Sequence, residues 1–82
     1  MNWNYRVCKK VDDIGDVLFE VHEAYYNNAG ELCAMTNEAV APIGETLEEL
    51  ADDIKKMLAA FDAPVLDVDT VTFASWGDED DE

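Results

Sequence analysis

The sequence predicts an α+β domain of two layers, a mainly antiparallel sheet with one helix laid across it. Three observations carry that prediction. Apolar and polar residues alternate with a period of two early in the chain, a capped amphipathic segment follows, and a β-branched run comes after it.

Trp3, Tyr5 and Val7 alternate with Asn4, Arg6 and Cys8, the rhythm of a half-buried strand, and this first strand runs to about Val11. Asp12-Asp13-Ile14-Gly15-Asp16 is a turn of Asp and Gly. Beyond it Val17, Phe19 and Val21 alternate with Leu18, Glu20 and His22, so the two strands form a hairpin. A second turn, Asn27-Asn28-Ala29-Gly30, introduces a short third strand over residues 31–36 and completes a three-stranded antiparallel meander. Two registers of that third strand stay open: Tyr25 facing Leu32 puts Cys8 and Cys33 on one face, and a shift by one residue separates them. Residues 37–44, with Pro42 and Gly44 and no period, form the loop that crosses from sheet to helix.

Thr46-Leu47-Glu48-Glu49 has the spacing of a capping box, in which the Thr46 hydroxyl accepts from the Glu49 amide and the Glu49 carboxylate reaches back to the cap amide. The helix continues to about Asp62, before Pro64. Leu47, Leu50, Ala51, Ile54, Met57, Leu58 and Phe61 recur at intervals of three and four, a stripe expected to lie on the sheet. Residues 65–68 and 70–73 are expected to form a fourth strand at the sheet edge, broken at Asp69. The domain is read as residues 1–76, followed by an acidic, disordered tail over residues 77–82.

Charge narrows the function. Five Lys and Arg against 20 Asp and Glu give a net charge of −15, which excludes direct binding to nucleic-acid phosphates or to anionic lipid; the expected partner is a basic protein surface. There is no apolar run long enough to span a membrane and no start resembling a signal peptide, so a cytoplasmic location is expected, with the oligomeric state open. With 82 residues the core is thin. Cys8 and Cys33 read as free thiols, because strand 2 lies between them and two strand spacings of roughly 9–10 Å are beyond a disulfide.

No residue set points to catalysis. His22, the only histidine, reads as a sheet-face imidazole, and no Ser, His and Asp constellation surrounds it. Asp67 and Asp69 have a spacing that holds Mg²⁺ only if a third acid converges on them, and solvated edge carboxylates are the better account. No glycine-rich phosphate loop and no cofactor motif is present, so no cofactor is expected.

The distribution of acids on the helix is more informative. Glu45, Glu48, Glu49, Asp52 and Asp53 crowd its first two turns, answered by Lys55 and Lys56 alone. Acids near a helix N-terminus interact favourably with the macrodipole. Glu48 with Asp52 and Glu49 with Asp53, however, are like-charge i,i+4 pairs that each cost roughly 0.2 to 0.5 kcal/mol. Together with Asp78, Glu79 and Asp80 of the tail these acids make a one-signed surface suited to a basic cleft, where it would compete with a phosphate backbone. A solvated face with the real interface elsewhere is the alternative; an exposed aromatic patch of Tyr25, Tyr26 and Trp76 would favour it.

The order of three strands, a capped helix and a further strand, with Gly44-Glu45-Thr46-Leu47-Glu48-Glu49-Leu50 opening the helix, resembles the HicB-like antitoxin domain over roughly residues 4–70. The resemblance implies a helix packed on a curled sheet, no nuclease activity, and inhibition of a small basic ribonuclease toxin by binding. In place of that family's Pro-Asp-Leu-Pro-Gly-Cys-like stretch the chain has Asn37-Glu38-Ala39-Val40-Ala41-Pro42-Ile43. In composition the chain is also similar to phage-encoded inhibitors of host defence, the anti-restriction and anti-CRISPR proteins that imitate DNA.

Overall fold

The computed structural model describes residues 2–76, so the predicted tail lies outside the described residues. Strands β1 (Asn2–Val11), β2 (Val17–Tyr26) and β3 (Leu32–Met35) form the expected meander; helix α1 (Leu47–Ala59) and a single 3-10 turn (Ala60–Asp62) lead to β4 (Leu66–Asp67). The sheet order is β3-β2-β1-β4, with β4 parallel to β1, so the fold is α+β with one helix against a mixed sheet.

Both hairpin turns are built the same way. Asp12 Oδ1 accepts from the amides of Ile14 and Asp16 at 3.0 and 2.9 Å, and Asn27 Oδ1 accepts from those of Ala29 and Glu31 at 2.9 and 3.0 Å. In each, the glycine three residues on sits at positive φ, 93° for Gly15 and 82° for Gly30, a conformation a side chain would strain. The first turn sets the β1–β2 register, in which Val7 faces Val21.

Strand 3 keeps neither expected register along its whole length. Tyr25 pairs with Ala34 and Tyr26 with Leu32, with a bulge between them that leaves Cys33 opposite no partner. Both cysteines are free and buried, and burial pushes the Cys8 thiol up. The loop 37–44 does not simply cross: Thr36 N–H donates to Glu23 O at 3.0 Å and Val40 N–H to Val21 O at 2.9 Å, so the chain beyond β3 satisfies the open edge of β2.

The fourth strand is shorter than expected. Asp67 Oδ1 accepts from Asp69 N–H at 2.9 Å, and the Asp67 carbonyl accepts from Thr70 and Val71 at 3.1 and 2.8 Å. These local bonds turn the chain off the ladder after Leu66–Asp67. The segment that follows reaches the opposite side of the sheet, where Ala74 N–H donates to Leu32 O at 2.7 Å and Asn27 Nδ2 donates to Ser75 O at 3.1 Å. By register, Tyr5 and Val7 share the face that meets α1, whereas Arg6, Cys8, His22 and Ala24 share the face on which the returning segment lies.

The core is small: Val7, Cys8, Ala24, Cys33, Met57 and Ala60 are its buried apolar residues. The expectation that the whole helical stripe lies on the sheet is corrected here. Met57 is the one buried residue of α1, while Leu47, Leu58 and Phe61 are 85%, 63% and 67% exposed. The helix touches the sheet along Leu50, Asp53 and Met57, and the stripe is wider than the narrow sheet beneath it covers.

Candidate partner-binding surface

The N-terminal half of α1 begins as the capping box requires, with Thr46 Oγ1 accepting from Glu49 N–H at 3.0 Å. The reciprocal bond is displaced by one residue: Glu49 Oε1 accepts from Glu45 N–H at 2.9 Å, not from the cap amide. Gly44 makes this entry possible, because a Cβ there would lie 2.3 Å from the Leu50 nitrogen. Glu49 is therefore spent on holding the helix start.

Asp53 is spent in the same way. Its Oδ1 accepts from the Tyr5 hydroxyl of β1 at 2.5 Å and its Oδ2 from Ile43 N–H at 2.9 Å, which ties helix, sheet and crossing loop together. The bond from Tyr5, followed by that from the Ile43 amide, holds the Asp53 carboxyl below the usual carboxylate range. The same hydrogen bond, with burial and the negative charge, pushes Tyr5 up to about 12. Trp3 packs edge-on against Tyr5 with ring centroids 5.2 Å apart.

Three of the predicted helix acids remain. Glu45, Glu48 and Asp52 are exposed, and their carboxylates have no hydrogen-bond or ion-pair partner among the described residues. Asp52 lies beside a shallow hollow of about 300 Å³ formed with Tyr5, Ile43, Glu49, Asp53 and Lys56. Asp78, Glu79 and Asp80 lie outside the described residues. Sequence reasoning grouped five helix acids; the structure divides them into two that build the helix entry and three that face solvent.

The cations offer little compensation. Lys9 Nζ is 3.9 Å from Asp67 Oδ2, and Arg6 is drawn inward, donating to Pro64 O at 2.6 Å and Tyr26 Oη at 3.1 Å. The Asp67 and Asp69 pair does not open outward as a ligand set, since Asp67 holds the Asp69 amide and faces Lys9.

The opposite sheet face carries a second feature, a hollow of about 380 Å³ whose lining includes Lys10, His22, Cys33, Met35, Val68 and Phe73. His22 is buried, which its sequence position did not reveal. Its Nδ1 donates to Thr36 O at 2.9 Å and its Nε2 lies 2.9 Å from Glu20 Oε1, so both ring nitrogens are engaged. This imidazole pins the end of β3 to β2.

Tyr25 and Tyr26 do not form an exposed patch. Both are half-buried; the Tyr25 hydroxyl donates to Glu23 and that of Tyr26 to Asn4 Oδ1. Exposed apolar side chains gather instead at the far end of the β1–β2 hairpin, where Ile14 is 82% and Phe19 64% exposed, and along the outer side of α1.

No helix among the described residues is long and apolar enough to cross a membrane. Compared with known proteins, the chain matches no family model, no curated protein and no solved structure.

Proposed function

We propose that the domain is a non-catalytic binding module that occupies a basic protein surface, with Glu45, Glu48 and Asp52 facing the partner's Lys and Arg side chains. In its specific form it inhibits a nucleic-acid-handling complex, an anti-defence role in which the acids displace a phosphate backbone. The observation that carries the reading is that these three carboxylates stand exposed at the N-terminal end of α1, Glu45 just before the Thr46 cap and Glu48 and Asp52 on the first two turns, without a cation partner among the described residues, in a chain of net charge −15. Glu49 and Asp53 contribute charge to the same surface while building it.

The test is capture from a cell extract on the immobilised full chain, eluted with rising salt, followed by competition of the captured protein with duplex nucleic acid. Recovery of a basic nucleic-acid-binding protein that duplex DNA or RNA displaces is the expected result; a captured partner indifferent to nucleic acid and to salt refutes it. The β-β-β-α-β order supports a second reading, an antitoxin-like domain that neutralises a small basic ribonuclease. Release of ribonuclease activity from the captured protein on elution distinguishes that case.

A further inference from the structure

Helix α1 carries two apolar seams. Leu50, Asp53, Met57 and Ala60 form the one turned to the sheet, with Met57 and Ala60 buried. Leu47, Ala51, Ile54, Leu58 and Phe61 form the other, spaced four, three, four and three residues apart, the alternation of positions d and a in a heptad. All five are exposed, and a seam with this spacing is the surface a second helix packs against at a shallow crossing angle.

We infer that the occupant of this seam is the same helix of a second copy of the chain, related by a two-fold axis and running antiparallel. The side chains are self-complementary in that arrangement. Leu47 meets the second copy's Leu58, and the small Ala51 meets the second copy's larger Ile54, each layer occurring twice as an isologous contact requires. The charges beside the seam agree: Glu48 of each copy comes opposite Lys55 of the other, an acid against a base at both ends. Sliding one helix by a full heptad to bring Lys55 opposite itself would set like charges together. Asp52 and Glu49 point away from the seam, so pairing leaves them on the outside, two sets per dimer. This inference shares Glu48 with the proposed function: pairing engages Glu48 with Lys55 of the second copy and leaves Glu45 and Asp52 to face a partner.

The test is sedimentation equilibrium of the full chain over a range of concentrations, with circular dichroism confirming that each variant is folded. The wild type is expected to be a reversible dimer. Leu58→Asp, at a position exposed within one copy, is expected to weaken association at least about tenfold by burying a charge in the seam. Glu48→Lys and Lys55→Glu are each expected to weaken it, and the double variant E48K/K55E to restore it. A wild type that stays monomeric at millimolar concentration, a dimer indifferent to Leu58→Asp, or a double exchange that fails to restore pairing each overturns the inference.

Discussion

Replacing Met57 and Leu58 one at a time by alanine separates the two sides of α1. Met57 is 8% exposed and Leu58 63%, although the two are adjacent and both belong to the helical stripe. Each change removes three heavy atoms, and at about 0.8 kcal/mol per buried methylene Met57→Ala loses roughly 2 kcal/mol of transfer free energy plus a cavity term. Only about a third of Leu58 is covered, so Leu58→Ala loses roughly 0.8 kcal/mol or less. A domain of this size has about 4 to 12 kcal/mol of stability, and 2 kcal/mol lowers its Tm by roughly 8 to 16 °C. Urea denaturation followed by circular dichroism, on protein dilute enough to be monomeric, measures both. Equal losses for the two variants under those conditions would refute the reasoning, because they would mean that the whole stripe is buried within one copy.

Three further outcomes follow from the same structure. The Tyr5–Asp53 bond makes stability pH-dependent at both extremes. Asp53, held low in the fold, contributes stability present above its unfolded pKa and lost as pH falls through its lowered value; Tyr5, raised to about 12, contributes stability present below about 10 and lost as pH rises from there towards 12. Tyr5→Phe should remove the Tyr5 share of the alkaline loss in denaturation curves taken across that range, leaving that of Tyr25, which its hydrogen bond to Glu23 also raises. Gly44→Ala should destabilise the helix entry by about 1 to 3 kcal/mol, since its Cβ would stand 2.3 Å from the Leu50 nitrogen, and loss of helical ellipticity on mild heating reports it. His22→Leu leaves the Thr36 carbonyl and Glu20 without the imidazole between them and should cost about 1 to 3 kcal/mol, read as a lower urea midpoint; an unchanged midpoint would remove the pinning role.

Local chemistry explains how far the sequence could be read. The turns were legible because Asp12 with Gly15 and Asn27 with Gly30 each satisfy their own backbone, and alternation around them gives the hairpin with Val7 opposite Val21. The cap at Thr46 was legible for the same reason. What alternation and spacing do not carry is tertiary partnership. Asp53 looks like any other helix acid until Tyr5, 48 residues away, is brought beside it. His22 reads as an ordinary sheet-face imidazole until Thr36 closes over it. The period of α1 shows that one side is apolar, but how much of it is covered depends on the width of the sheet, which the early turn at Asp67 limits. The bulge between Tyr25 and Tyr26 leaves no mark in a four-residue strand such as Leu32–Met35.

The acidic surface is tested most directly by the salt dependence of binding between the full chain and the basic protein it captures, measured for the wild type and for the E45K/E48K/D52K variant. The account predicts that the wild-type association constant falls steeply as salt rises, and that the reversed variant, folded by circular dichroism, loses most of the affinity at low salt. Equal, salt-independent binding by both proteins would contradict it and move the interface away from the first two turns of α1.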